Sequence, residues 1–369
     1  MATAQRDIVA GPIELKGQPL PELEQLFLAH GERKYRAKQV YDAMYVQRLE
    51  HVESMLQLPQ PLRERLSSEF RTQSVQLKTL QHSQDGTKKF LFDLWDGRSV
   101  ESVLIPSEMV ATGEEPRRLT LCVSTQVGCN LGCVFCATAS LKLTRNLTSG
   151  EIVDQFLQAQ QHSTKPITNI VFMGMGEPMN NYENVMLATE IFTDQRTKMV
   201  APRRVTLSTA GVIPGIIQMA DEGRIIKLAL SLHATTQERR AELMPIAKKY
   251  KLPELIESLE YYYRKTRKSV TYEYILFDGF NDSIEDVRRL GKLARRMPTK
   301  VNVIPFHDID FTQPQGFAKG LRPSSRETFE WFIRELRNED VNVFIRSSSG
   351  EDIDAACGQL AFSNEGGEP

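Results

Sequence analysis

The chain has 369 residues, 41% of them hydrophobic, and its 46 Lys and Arg against 47 Asp and Glu leave a net charge of −1. That length accommodates two or three domains of roughly 150 residues, and the balanced charge excludes a partner held by overall basicity, so nucleic acid would have to be met by local patches. The opening MATAQRDIVAGPIELKG has no signal-peptide apolar run, and no stretch approaches the ~20 apolar residues of a membrane span; no membrane association and a cytoplasmic location are expected.

In chain order, residues 20 to 70 carry three amphipathic runs at helical spacing, PELEQLFLAHG, KYRAKQVYDAMYV and LPQPLRERLSSEF, which predict a small all-helical unit. TKKFLFDLWDGRSVESVLIP then sets two strand-like runs around Asp96 and Gly97, a strong hairpin signal. From residue 119 strands and helices alternate: LTLCVS, TSGEIVDQFLQAQQ, TNIVFMG, YENVMLATEIF, RRVTLSTAG and VIPGIIQMADEG. IIKLALSL, SVTYEYIL, KVNVIPF and VNVFIR are further strands, separated by LPELIESLEYYYRKT, IEDVRRLGKLARRM and SRETFEWFIREL. Thr148 with Glu151 makes a T-x-x-E capping box. About six βα units predict an α/β fold with a parallel sheet, a partial barrel or a doubly wound sheet, whose ligand site lies at the carboxyl ends of the strands. The expected division is a helical domain over 1–80, a β-hairpin linker over 81–114, a core over 115–350 and a C-terminal segment over 351–369.

Four of the five cysteines lie in CVSTQVGCNLGCVFC, and the fifth, Cys357, lies in GEDIDAACGQL. In a reducing compartment such a cluster reads as metal binding or catalysis rather than a disulfide scaffold. Cys129, Cys133 and Cys136 have the spacing C-x3-C-x2-C directly after LTLCVS. A four-cysteine zinc site would draw in Cys122, but closed zinc sites show paired C-x2-C units or a nearby His, and the six histidines are all distant in sequence. Three thiolates without a local fourth ligand suit an iron-sulfur cubane with one open iron. Zinc and unliganded buried thiols remain the alternatives on spacing alone.

The C-x3-C-x2-C loop, with Phe135 before its last cysteine, resembles the signature of radical S-adenosylmethionine (SAM) enzymes. GMGEP at 174 to 178 resembles their GGEP motif, and STAG at 208 to 211 and SLHA at 231 to 234 end predicted strands. More narrowly, CVSTQVGC, RNLT, GMGEPMNNYENV, SLHA and DIDAACGQL resemble the RlmN/Cfr family of adenosine methyltransferases over almost the whole chain. The resemblance implies a partial (β/α)6 TIM-like radical SAM barrel with a small N-terminal helical, RNA-contacting domain and a linking β-hairpin. It implies a [4Fe-4S] cluster on Cys129, Cys133 and Cys136, and SAM contacts from Gly176, Glu177, Ser208, Ser231, Leu232 and His233. His307, in IPFHD, stands where the family often has Asn, and is carried over as a SAM contact that departs from the pattern.

The family's chemistry, placed on this sequence, uses two SAM molecules per turnover. Cys357 takes a methyl group from the first as a thiolate nucleophile. A radical from the second removes a hydrogen atom from that methyl, and the resulting carbon radical adds to the adenine ring, joining protein and RNA. Glu101 matches the glutamate implicated in proton transfer, and the long loop PSEMVATGEEPRR between Glu101 and Cys122 departs from the pattern. Cys122 then attacks the Cys357 sulfur, releasing methyladenine and leaving a disulfide.

For RNA the sequence offers four basic patches: Arg33, Lys34, Arg36 and Lys38; Lys198, Arg203 and Arg204; Lys248, Lys249 and Lys251; Arg264, Lys265, Arg267 and Lys268. The target adenosine must be unstacked to react. The resemblance implies 23S rRNA and the tRNA adenosine next to the anticodon as substrates, methylation at C2 and an electron-donor reductant such as a flavodoxin system; a monomer is expected. Methylation of C8, as by Cfr-type enzymes, uses the same five cysteines. A non-catalytic RNA-binding protein with a zinc knot is the reading from another class, distinguished by stoichiometric zinc and no brown colour.

Overall fold

The computed structural model describes residues 13–107, 118–346 and 349–361. Most of the PSEMVATGEEPRR loop, the first twelve residues of the opening segment and the polar tail lie outside the described residues.

Strand β1 (Ile13–Glu14) is followed by α1 (Leu20–Ala29), α2 (Lys34–Tyr45), α3 (Gln60–Glu69) and β2 (Phe70–Arg71). Prolines in the first turns of α1 and α3 suit positions whose N–H has no partner in the helix. Leu23, Phe27, Val40, Tyr41 and Met44 form the buried faces of α1 and α2. The expected all-helical unit is corrected in one respect: β1 and β2 pair in parallel, tying its two ends together.

Next come β3 (Val75–His82), β4 (Lys88–Leu94) and β5 (Ser99–Pro106), all antiparallel. β6 (Leu119–Cys122) precedes a two-stranded ribbon, β7 (Gln126–Val127) with β8 (Arg145–Asn146), and α4 (Ser149–Gln161). The barrel continues through β9 (Asn169–Phe172), α5 (Tyr182–Thr193), β10 (Val205–Thr209), α6 (Ile213–Asp221) and β11 (Lys227–Ser231). It ends with α7 (Gln237–Leu243), α8 (Leu252–Thr266), β12 (Val270–Leu276), α9 (Ile284–Ala294), β13 (Thr299–Pro305), α10 (Arg326–Asn338) and β14 (Val343–Ile345). The Thr148 capping box is present, its Oγ1 accepting from Glu151 N while Glu151 accepts from Thr148 N.

One ten-stranded sheet has the order β14-β13-β12-β11-β10-β9-β6-β5-β4-β3. β6 and the six strands after it in the sheet are parallel, which gives the open (β/α)6-type barrel. The β4–β5 hairpin is no detached linker, because β5 pairs antiparallel with β6 and sets Val103 against Cys122. The expected helical domain reached residue 80, but 75–82 form the edge strand β3.

A continuous apolar core runs from Leu15 to Leu360, and a second cluster around Phe135, Leu243, Phe277, Phe306 and Leu321 covers the carboxyl ends of the strands. Among the described residues no helix is long and apolar enough to cross a membrane.

Candidate functional site

The C-x3-C-x2-C loop leaves the carboxyl end of the β6 region and is pinned by backbone bonds. Cys129 N donates to Leu141 O at 3.1 Å, Val134 N to Leu243 O at 3.0 Å, and Cys136 N to Cys133 O at 3.1 Å. Gly128 begins the loop at φ +76°, where a Cβ would lie 2.3 Å from Lys142 O, so only glycine fits. Cys129, Cys133 and Cys136 are half-buried. Burial raises all three thiols, Cys129 to about 11, and the other cysteines of the loop push Cys133 and Cys129 further up. Among the described residues no three His, Cys, Asp or Glu side chains are arranged to hold a metal ion as they stand.

Opposite this loop stand the ends of β9, β10 and β11. Gly176 has φ +95°, and a Cβ there would fall 2.5 Å from Gln126 Cβ. Glu177 is buried, accepting from Met179 N at 3.1 Å and Ala210 N at 2.8 Å, and burial raises its carboxyl. Ser208 Oγ lies 3.5 Å from Ser231 Oγ. Leu232 is buried, and His233, in the left-handed region at φ +53°, packs edge-on against Phe135 with ring centroids 4.7 Å apart. Its Nδ1 accepts from Ile275 N at 3.1 Å; burial, then Arg240, push the imidazole down to about 3, so it is neutral with its proton on Nε2.

Arg240 carries no motif signal, yet it is fully buried here. Its Nη2 donates to Ala210 O at 2.6 Å and Ser231 O at 3.2 Å, while Nε and Nη1 have no hydrogen-bond partner among the described residues. A buried cation with two open donors, whose charge acts on the Cys133 thiol, fits an anionic thiolate-held cluster and a ligand carboxylate. The thiolate-only donor set agrees with a [4Fe-4S] group.

The fifth cysteine is folded back onto the same loop. Ala137 N donates to Gly358 O at 2.6 Å and Thr138 Oγ1 to Leu360 O at 2.6 Å. Cys357 interacts electrostatically with both Cys136 and Cys122. Burial pushes Cys122 up to about 12, and burial also raises Cys357; the Arg346 guanidinium opposes the rise at both. Arg346 Nη1 lies 3.8 Å from Glu273 Oε2 and donates to Met173 Sδ at 2.9 Å.

Glu101 is buried on β5, its Oε1 3.6 Å from Lys89 Nζ, and Lys89 also donates to Asp354 O at 3.4 Å. The β3–β4 turn supports the same segment, with Gly350 N donating to Asp85 at 2.9 Å and Gln84 N to Asp352 at 3.1 Å. His307 is turned to this segment too, its Nδ1 3.6 Å from Glu351 Oε1, with burial lowering its pKa. A cavity of about 830 Å³ is lined by Cys357, His307, Arg346 and Glu273 and reaches the amino ends of the parallel strands. Sequence reasoning missed Arg240, Arg346, Lys89 and Glu273, none of which lies in a recognisable motif.

Residues 123–291 match the Radical SAM superfamily, and the fold superposes on the crystal structure of a radical SAM methyltransferase from Sphaerobacter thermophilus with a TM-score of 0.86. That protein is 37% identical, over 95% of this chain and 99% of its own. The chain is thus a radical SAM protein, of the class that pairs SAM with a [4Fe-4S] cluster. Residues 13–71 match the ribosomal RNA large subunit methyltransferase N-terminal domain. The probable dual-specificity RNA methyltransferase RlmN of Flavobacterium johnsoniae is 42% identical over 92% of this chain and 94% of its own. The dual-specificity RNA methyltransferase RlmN of Geotalea uraniireducens is 40% identical over 94% and 96%. The chain belongs to the RlmN family of radical SAM RNA methyltransferases.

Proposed function

We propose that this protein methylates C2 of an adenosine in 23S rRNA and of the adenosine next to the anticodon in tRNA, through a methylated Cys357 and a covalent protein–RNA intermediate. The observation that carries the reading is the docking of the Cys357 segment on the cysteine loop, with Cys357 and Cys122 sharing the field of Arg346.

Cys129, Cys133 and Cys136 would hold the cluster, which when bound supplies the electron that cleaves SAM to a 5'-deoxyadenosyl radical. Gly176, Glu177, Ser208, Ser231, Leu232 and His233 would orient SAM beside it. Neutral His233 offers Nε2–H as a donor, and Arg240 offers its two open nitrogens to a carboxylate. Cys357 accepts the methyl group of one SAM, and a second SAM is used to activate that methyl toward the ring. Arg346 favours the thiolate of both Cys357 and Cys122, the form needed first for methyl acceptance and later for the disulfide exchange that frees the product. Glu101, held by Lys89 against the Cys357 segment, serves in removal of the ring proton. His307 faces the cavity beside Cys357 and contributes to the SAM or base pocket. A flavodoxin-type donor supplies electrons, and the enzyme works as a monomer.

The test is mass spectrometry of nucleosides from rRNA and tRNA after incubation with anaerobically reconstituted protein, SAM and a reductant, beside a Cys357→Ala control. 2-Methyladenosine that disappears in the control is the expected result. 8-Methyladenosine would move the reaction to the other ring carbon, and no methylated adenosine from protein with an intact cluster would refute the reading.

A further inference from the structure

The interior of a closed (β/α) barrel is usually filled with branched apolar side chains. In this open barrel the positions lining the amino-terminal half of the cavity include Thr120, Asn169, Thr206, Ser269 and Thr271, small and polar. At the other end the apolar cluster of Phe135, Leu243, Phe277 and Phe306 covers the carboxyl ends and packs against Cys357. The cavity that reaches Cys357 therefore opens toward the amino ends of the strands, although ligands of barrel enzymes ordinarily approach from the carboxyl face.

That opening is rimmed by cations. Arg118 directly precedes β6, Arg203 stands two residues before β10, Lys227 begins β11, Lys268 stands two residues before β12 and Lys300 is the second residue of β13. All five line the cavity, and none forms an ion pair among the described residues. Register places them on neighbouring strands, with Thr206 opposite Lys227 and Thr271 opposite Lys300. Among the described residues Glu273 is the one carboxylate lining the cavity, and it is already engaged with Arg346 and Asn302. Burial, and then the charges of Lys300, Arg118 and Arg204, lower the pKa of Lys227. Ile225, Phe344 and Ile345 are exposed and line the same cavity, and Lys300 Nζ sits 5.6 Å from the centre of the Phe344 ring. Cations without an ion-pair partner among the described residues, interleaved with exposed apolar and aromatic groups, are the surface that single-stranded RNA uses, phosphates on the charges and bases on the rings.

We infer that the RNA enters from the amino-terminal end of the barrel, its backbone phosphates held by Arg118, Arg203, Lys227, Lys268 and Lys300, so that the unstacked adenosine passes up the cavity to Cys357. The inference rests on the reading of Cys357 as the methyl carrier. It selects among the basic patches: Arg203 and Lys268 belong to the entrance, whereas Lys249 lines a separate pocket beside the cysteine loop.

The experiment measures affinity for a tRNA transcript as a function of salt for the cluster-loaded wild type and for Lys227→Glu/Lys300→Glu. Each single-strand phosphate contact contributes a slope of about 0.7 in log K against log salt, so losing two removes about 1.4 from the slope and weakens binding at least about tenfold near 0.15 M salt. In the wild type, bound tRNA should protect Lys227 and Lys300 from amine acetylation, a reading independent of any effect of substitution on folding. Unchanged affinity and no protection would overturn the inference, as would the loss appearing instead in Lys248→Glu/Lys251→Glu. SAM-dependent methylation of Cys357 in the absence of RNA, followed by intact mass, separates the two ideas: its absence in the wild type defeats the methyl-carrier reading without touching RNA affinity.

Discussion

Replacing Arg346 with Met removes the cation that opposes the rise of both the Cys357 and Cys122 thiols. The side chain is 25% exposed, so solvent screens it only partly. A nearby cation favours the charged form of an acid, so loss of Arg346 lets the Cys357 thiol rise further. Because this thiol already titrates above its ordinary value, methyl acceptance below pH 9 follows the thiolate fraction and rises about tenfold per pH unit. The variant should trace a parallel line displaced to the alkaline side, slower at any one pH by a factor on the order of ten, when Cys357 methylation is followed by intact mass in single-turnover reactions. Glu273 acts in the opposite direction, raising Cys357, and without Arg346 it is left buried with an unpartnered oxygen. Removing one member of a buried pair costs about 3–5 kcal/mol, so Arg346→Met should also unfold earlier in denaturant. The Arg346→Met/Glu273→Gln double variant separates the effects, recovering stability and part of the rate. Superimposable pH profiles for Arg346→Met and wild type would refute the assignment of Arg346 to thiolate stabilisation.

Three further outcomes follow from the geometry. Gly358→Ala forces an L-residue into φ +91° with its Cβ 3.2 Å from Phe135 O; at about 1–2 kcal/mol for the left-handed backbone, it should slow Cys357 methylation while leaving the melting temperature within a few degrees, and equal loss of both would contradict a local effect. Lys89→Met leaves Glu101 buried without its cation and should lose about 3–5 kcal/mol in denaturant titration, most of it regained in Lys89→Met/Glu101→Leu; a loss below about 1 kcal/mol would show that the pair has no structural role. His233 titrates near 3 when folded, against about 6.5 unfolded, so between those values the unfolded chain binds the extra proton. Its contribution is whole above pH 6.5 and declines as pH falls toward 3, by about 2 kcal/mol at pH 5. His233→Gln should flatten that part of the stability profile, and an unchanged slope would contradict a neutral buried imidazole.

The alternation of apolar runs made the seven parallel strands legible, because strands covered on both faces need continuous Val, Ile and Leu, as in NIVF and KLALS. β3 escaped for the opposite reason: VQLKTLQH is an edge strand with mostly exposed or half-buried side chains, so no burial pattern marks it. β1 and β2 are two residues each and exist only because they pair with each other across the helical unit. The cysteine loop was legible because its ligands are close in sequence, and the strand-end motifs because polar groups after a strand reach a common mouth.

Arg240, Arg346, Lys89 and Glu273 were not legible, since a buried charge is defined by what folds around it. The same holds for the placement of Cys357. Its segment is fixed by backbone carbonyls, Gly358 O to Ala137 N and Leu360 O to Thr138 Oγ1, and by the Gln359 amide donating to Asp308 O at 3.1 Å. Carbonyls are present at every residue, so the bond from Ala137 N to Gly358 O leaves no trace in side-chain identity. What does depend on identity is the support from the β3–β4 hairpin, where Asp85 accepts from Gly350 N and Lys89, paired with Glu101 of β5, donates to Asp354 O. The antiparallel extension of the sheet thus has a chemical consequence: it gives the segment a rigid seat from which Cys357 can face the cavity, and it carries Glu101 to the same side of the barrel.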